Sequence, residues 1–410
     1  MSKGVVSKGV VRQGVVSKGL LSGCPLNEGA LNEGPLNEGF IEQGSSERGS
    51  SVIAASGVGL RGCGAKRLVQ ALSLAVAALS AACTVPIVPS IESTAAAPRV
   101  ASSLPSLAEA GISGTAAVTV DIKPIQVSPR VWMVQGDLGP VSLENQGYNS
   151  NAAFVVTPAG VVVYDALGTP PLGHELLRQI RHITPLPVRH VIVSHWHADH
   201  FYGLQAFKAA GATIWAHRAG QSYLASDAPG ARLAERRTSL APWVNGSARL
   251  VPADRWIDAE TRFELGGIRF ALLPAGHAHT REDLMLWVES EGVLLAGDLM
   301  FGARIPFVGD AQTRGWLAAI DQLSRLPIRV LVGGHGEASV RPARDLALTR
   351  DYLNFLRERM KRAVAEMETF DEAYRATDWR PFADKPAFGA ANRANAYNVF
   401  LEMEREALGR

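Results

Sequence analysis

The sequence predicts an α/β fold, and three observations lead there. Short apolar, β-branched runs alternate with amphipathic stretches along residues 118–340, which is the mixture of period 2 and period 3.6 that builds sheets covered by helices. The runs are too unevenly spaced for a simple doubly wound sheet. Several of them stop at a turn or a glycine that is followed at once by a histidine or an aspartate.

Taken in order, strands are expected at 131–134, 153–156 and 161–164, each rich in Val, Ala or Phe. A helix is expected at 172–182, where leucines recur at helical spacing. The strand 190–193 leads into His195, and a helix over 201–210 leaves that region. Further strands are read at 213–216, 268–273, 284–288, 293–296 and 328–332, and an amphipathic helix at 315–326. Residues 342–410 read as mostly helical, with amphipathic stretches at 341–350 and 352–362 that suit core packing.

The chain before residue 118 has a different character. Glycine recurs every fifth residue at 4, 9, 14 and 19 and again from 29 to 49, a period that fits neither helix nor strand. Residues 1–60 therefore read as a disordered repeat tail, or as repeat sequence upstream of the true start. Residues 61–83 combine a basic flank (Arg61, Lys66, Arg67), an uncharged apolar stretch from Leu68 to Ala82, and Cys83. That pattern predicts a signal peptide, or a lipoprotein signal with Cys83 as the lipidated residue, and the stretch is short for a membrane span. The expected location is periplasmic or exported, with any membrane contact made through a lipid at Cys83. Residues 84–117, rich in Ser, Ala and Pro, read as a linker.

Charge is nearly balanced, with 41 Lys+Arg against 39 Asp+Glu, and no basic stripe with interleaved aromatics occurs, so nucleic acid is not the expected partner. The cysteines, Cys24, Cys63 and Cys83, all precede residue 84. Any metal site in the globular part must therefore be built from His and carboxylate, which favours zinc, iron or manganese.

Residues 195–200 read His-Trp-His-Ala-Asp-His directly after an apolar run. On a strand, His195 and His197 project to one side and can hold one ion together. Asp199 and His200 fall where the chain turns helical, so they face a second position. Other apolar runs end in the same way: Pro274-Ala275-Gly276 precedes His277 and His279, Gly297 precedes Asp298, and Gly333-Gly334 precedes His335. On chemistry alone either His277 or His279 suits a metal. Trp196, Tyr202, Arg304 and Phe307 are candidates for pocket walls.

These residues resemble the metallo-β-lactamase superfamily over about 118–338. The resemblance rests on His195-x-His197-x-Asp199-His200, His279-Thr280-x-x-Asp283, Gly297-Asp298, Gly334-His335-Gly336 and Tyr164-Asp165. The wording around Glu144–Asn151 is similar to periplasmic zinc metallohydrolases of sulfur-oxidation and quinoprotein systems. The resemblance implies an αββα sandwich over 118–340 with a C-terminal helical extension at 341–410. It implies that His195, His197 and His279 hold one zinc, that Asp199, His200 and His335 hold a second, and that Asp298 bridges them. His279 is preferred to His277 because the family's histidine is followed by threonine. The implied activity is hydrolysis of a thioester, ester or lactam in a small molecule by a hydroxide shared between the ions, with Asp199 orienting it. A β-lactamase proper and an iron-dependent sulfur oxidoreductase are the alternatives, and Asp298 argues against the lactamase subclasses that use a cysteine at the second site.

Overall fold

A computed structural model of the chain describes residues 103–409. The readings placed on residues 1–102, the repeat, the export signal and most of the linker, lie outside the described residues. The last part of the linker stretch is described, and its Ala110 and Ile112 are buried against Ala206.

The elements are β1 (Ile125–Ser128), β2 (Val131–Val134), β3 (Ala152–Thr157), β4 (Gly160–Tyr164), α1 (Pro170–Ile183), β5 (Val188–Ile192), α2 (Ala198–Phe201), α3 (Leu204–Ala209), β6 (Thr213–His217), α4 (Gly220–Leu224), α5 (Ala228–Ser239) and β7 (Arg255–Ile257). They continue with β8 (Thr261–Leu265), β9 (Ile268–Pro274), β10 (Leu284–Val288), β11 (Val293–Phe301), α6 (Thr313–Leu323), β12 (Val330–His335), α7 (Pro342–Ala365), α8 (Phe370–Ala376) and α9 (Phe388–Ala407). One sheet has the order β1-β2-β3-β4-β5-β6-β7, antiparallel up to β4 and parallel from there to β7. The other has the order β12-β11-β10-β9-β8, antiparallel except for the β11–β12 pair.

Side-chain alternation sorts these strands into layers. Val162 and Tyr164 of β4 face the second sheet, in a core they share with Phe270, Leu272, Leu286 and Leu295. Val161 and Val163 of the same strand face α1 and α3, through Leu172, Leu176, Ile180, Leu204 and Phe207. On the far side, Leu294 and Ala296 of β11 meet Trp316, Ile320, Tyr352, Leu353, Val399 and Met403 from α6, α7 and α9. The result is the α/β/β/α sandwich expected, and both faces of the central strands are apolar because both are covered. The C-terminal helices form the fourth layer and share its core. Among the described residues no helix is long and apolar enough to cross a membrane.

α1 starts where the chain supplies its cap. The Thr169 side chain accepts from the Leu172 N–H, and Pro170 and Pro171 occupy positions that need no donor. The helix expected over 201–210 is instead broken into α2 and α3. At the break, a Cβ on Gly203 would lie 1.9 Å from the Ala166 carbonyl oxygen and 2.8 Å from the Gly173 Cα. Three backbone segments meet there too closely for any side chain. The strand expected to end before Asp298 also runs on, as β11, through Phe301. The register of its pairing with β12 shifts between Leu295 and Gly297, which re-aims the next residue as a bulge does.

Candidate metal centre

The ligand-type residues converge where the C-terminal ends of β5, β9 and β12 meet β11. His195 and His197 follow β5, and Asp199 and His200 ride on α2. His279 lies in the loop between β9 and β10, Asp298 within β11, and His335 ends β12. They form two groups whose ligand atoms lie within 4.8 Å of one another: His195, His197, His279 and Asp298 in one, Asp199, His200 and His335 in the other. The seven residues that the resemblance implies as ligands are thus brought together. His277 is outside both groups, so the structure favours His279.

Asp298 sits between the groups. Its Oδ2 is 3.4 Å from His279 Nε2 and 3.4 Å from His335 Nε2, and its Oδ1 is 3.2 Å from His200 Nε2. Asp199 Oδ2 is 3.5 Å from His335 Nε2 and 3.7 Å from His200 Nε2. His279 Nε2 lies 3.0 Å from His197 Nδ1. Ligands held about 2.0–2.1 Å from a tetrahedral ion stand about 3.3 Å apart, so these separations suit cations between them.

The far nitrogens decide which ring atom faces inward. Asp165 accepts from the Ser194 N–H at 2.7 Å, the Ser194 hydroxyl at 2.8 Å and His200 Nδ1 at 2.9 Å. The Ser194 oxygen, its proton committed to Asp165, accepts from His195 Nδ1 at 2.9 Å. His335 Nδ1 donates to the Asn149 carbonyl at 2.6 Å. Each bond protonates Nδ1 and leaves Nε2 as a bare acceptor directed at the centre. His195 Nε2, His200 Nε2 and Asp298 Oδ1 are buried there without a hydrogen-bond partner. Orphaned acceptors of this kind are costly unless something positive sits among them.

Electrostatics agree. Burial keeps His197 and His279 neutral by pushing their pKa values down to about 4 and about 3, and burial with the neighbouring His200 holds His195 well below the usual range. Burial alone would raise Asp298, but His335 and His200 outweigh it and keep the carboxyl well below its ordinary value. His200 runs the other way. Burial would lower it, yet Asp298, Asp199 and Asp165 pull it well above 6.5. At His195, His197 and His279 neutral imidazoles thus face ionised carboxylates, the state in which such side chains bind metal, whereas His200 holds its proton against those carboxylates and must give it up to a cation.

Two further groups of residues support the ligands and were not assigned a role from sequence. Asn149 Nδ2 donates to Asp199 Oδ2 at 3.3 Å, and the Ser150 hydroxyl donates to the Asp199 carbonyl at 2.5 Å. Asn151 Nδ2 donates to the carbonyls of Gly333 and Gly336, bracketing His335. Asp283 accepts from the Thr280 N–H at 2.8 Å and hydroxyl at 2.7 Å, which fixes the loop carrying His279. A Cβ on Gly334 would lie 1.9 Å from Asp298 Oδ1, so only glycine lets β12 pass the Asp298 carboxylate.

Two of the expected pocket walls are elsewhere. Trp196 and Tyr202 are 1% and 3% exposed and belong to the core under the first sheet, Trp196 packing edge-on to Phe201 at 4.9 Å. Arg304 and Phe307 do adjoin the site, Arg304 beside His335 and the Phe307 ring 6.0 Å from that of His197.

Residues 146–335 match the family model described as the metallo-beta-lactamase superfamily. The metallo-beta-lactamase type 2 of Bacillus cereus is 26% identical over 221 residues, covering 53% of this chain and 77% of that protein. The metallo-beta-lactamase type 2 of Elizabethkingia meningoseptica is 25% identical over 201 residues, covering 46% of this chain and 70% of its own length. Among solved structures, a stereoselective inverting sec-alkylsulfatase from Pseudomonas sp. aligns with a TM-score of 0.54 at 19% identity, over 68% of this chain and 50% of that one. That likeness concerns the fold alone, and this chain spans about half of the sulfatase's length.

Proposed function

The chain belongs to the metallo-beta-lactamase superfamily and is a metal-dependent hydrolase, and from that premise we propose that it holds two zinc ions and hydrolyses a thioester, ester or lactam carbonyl. The observation that carries this reading is the convergence of two ligand groups on one carboxylate, Asp298. His195, His197 and His279 would hold one ion, Asp199, His200 and His335 the other, with Asp298 shared. An all His and carboxylate donor set suits zinc, and iron or manganese equally in hardness. When bound, such a pair of cations ionises water near neutrality and offsets the charge that develops on the attacked oxygen.

The protein side of the chemistry falls to Asp199. Unlike Asp298 it is only partly buried, so it is the carboxylate that meets incoming water and substrate. Asn149 Nδ2 holds it in place, and Asp199 orients the attacking water by accepting its proton in a hydrogen bond. Asp298 stands, on the family resemblance, where some lactamases use cysteine, which favours a thioester or ester over a β-lactam. We also read residues 61–83 as an export signal, placing the enzyme in the periplasm or on its membrane through Cys83.

The test is bound metal per chain by elemental analysis, alongside hydrolysis of a thioester and a chromogenic β-lactam. About two zinc ions and turnover of either substrate are expected, and the preferred substrate selects the branch. Iron in place of zinc without hydrolysis, or no stoichiometric metal, overturns the proposal.

A further inference from the structure

α6 begins at Thr313 with no cap of its own. Its N-cap residue, Gln312, makes no side-chain bond to the first turn, and that turn contains no acidic residue. The first N–H groups of a helix need acceptors, and the positive end of its dipole favours a carboxylate. Both are supplied from 89 positions further along the chain. Glu402 of α9, 7% exposed, accepts from the Thr313 N–H at 3.0 Å and from the Thr313 hydroxyl at 2.6 Å. Arg357 of α7 holds that carboxylate. Its Nη1 donates to Glu402 Oε1 at 3.2 Å and to the Thr313 hydroxyl oxygen at 2.7 Å, and its Nη2 donates to Glu406 at 3.0 Å. Charge-assisted bonds of this kind are the strong ones, and these are largely shielded from water.

The helix end held in this way leans on the loop that carries His279. The Gln312 N–H donates to the Ala278 carbonyl at 2.9 Å. A Cβ on Gly315 would lie 2.0 Å from the His277 carbonyl oxygen, so helix and loop meet backbone to backbone with no room to close further. Trp316, fully buried, sets its ring edge-on 5.1 Å from that of His279. Its indole N–H donates to the Leu299 carbonyl at 3.1 Å, which fixes the ring. The bonds from Thr280 to Asp283, and from the Ala278 N–H to the Thr280 carbonyl, shape the loop from within. They leave its place over β11 to be set, and the contacts with α6 set it.

We propose that Glu402 is a positioning residue for the first ligand group: by capping α6 from the C-terminal layer it holds the turn Gln312–Trp316 against the loop, and so fixes where His279 Nε2 points. This rests on the two-ion hydrolase reading above for the identity of the ligands. A productive site holds its groups within about 0.5 Å, through neighbours whose own positions are locked. The C-terminal helices are then part of the centre and not only a cover for the second sheet.

Three variants and a control test it. Glu402→Gln removes the charge that Arg357 holds, Thr313→Val removes the hydroxyl between the two, and Thr313→Ser keeps it. The control, Tyr374→Phe, removes a hydroxyl of the same layer that accepts from Asn392 Nδ2 at 3.1 Å, between α8 and α9. Zinc affinity is read for each ion by competition with a chelator, and amide hydrogen exchange over residues 275–283 is read in the chelated protein. Glu402→Gln and Thr313→Val are expected to weaken the first ion about tenfold and the second less than about threefold. Both are expected to speed exchange across 275–283 about tenfold. Thr313→Ser and Tyr374→Phe are expected to stay within about threefold of the natural protein in both readings. Equal weakening of both ions, unchanged exchange in Glu402→Gln, or the same loosening of the loop in Tyr374→Phe overturns the proposal. If Glu402→Gln fails to fold, Thr313→Val against Thr313→Ser decides. If the natural protein binds no stoichiometric zinc or turns over neither substrate, the hydrolase reading fails, and the exchange pattern still judges Glu402.

Discussion

Asn149 touches two ligands of one group and none of the other. Its amide donates to Asp199, and its carbonyl accepts from His335. Partners of this kind set ligand orientation, and their removal typically lowers metal affinity about 10–100-fold. Asn149→Ala is therefore expected to weaken the second ion by about that factor while leaving the first within about threefold. Competition against a chromophoric chelator separates the two affinities, and equal loss at both would show that Asn149 supports the fold rather than the group. Four of the candidate ligands, His195, His197, Asp199 and His200, stood out because His, Asp and the alternation of a strand leave a chemical signature in six consecutive residues, and His279, Asp298 and His335 showed only as His or Asp after apolar runs. Asn149, Ser150 and Asn151 leave no such signature. Part of their work is done by a backbone carbonyl, and the atoms they hold are up to 186 positions away in sequence.

At the scale of elements, what could be read depended on burial. β2, β3, β4 and β10 are almost wholly buried, so their apolar runs announce them. β8 alternates exposed and buried residues, and α5 buries only Pro229 and Leu233 beneath an arginine-rich surface, so neither stood out. In the sequence the glycines before the candidate ligands only mark where apolar runs stop, but Gly334 works by lacking a side chain. Gly334→Ala forces a methyl group against Asp298 Oδ1, where contact would be 1.9 Å. It is expected to abolish bound metal and to lower Tm. Gly389 in α9 has nothing within 4 Å of such a methyl, so Gly389→Ala is expected to leave metal content unchanged and Tm equal or slightly higher. Thermal melts and elemental analysis of the pair check both. Similar behaviour of the two variants would mean that Gly334 is not a steric requirement of the centre.

The whole molecule joins two sheets, each with its own helical layer, around one shared apolar core. The sequence showed alternating elements, and the resemblance supplied the sandwich. Where the C-terminal helices sit could not be read, because an amphipathic stripe does not say which face of which sheet it covers. The helices also reach the site. Glu402 of α9 accepts from the Thr313 N–H at 3.0 Å and hydroxyl at 2.6 Å, at the start of α6, and the preceding Gln312 N–H donates to Ala278 at 2.9 Å, next to His279. The ligands divide in the same way as the sheets. His195, His197, Asp199 and His200 follow the first sheet, while His279, Asp298 and His335 belong to the second. Each ligand group contains members of both, so bound ions would tie the sheets together at their shared edge. A ligand that binds only the folded state stabilises it by about 2.7 kcal/mol at a hundredfold excess over Kd. For a domain of this size that corresponds to a rise in Tm of about 5–10 °C. Calorimetric melts with zinc and after chelation are expected to differ by that amount, and Asp298→Ala, which removes the carboxylate between the two groups, is expected to erase most of the difference. A metal-independent Tm would place the ions outside the joint, because cations gripped by both sheets must raise the free energy needed to part them.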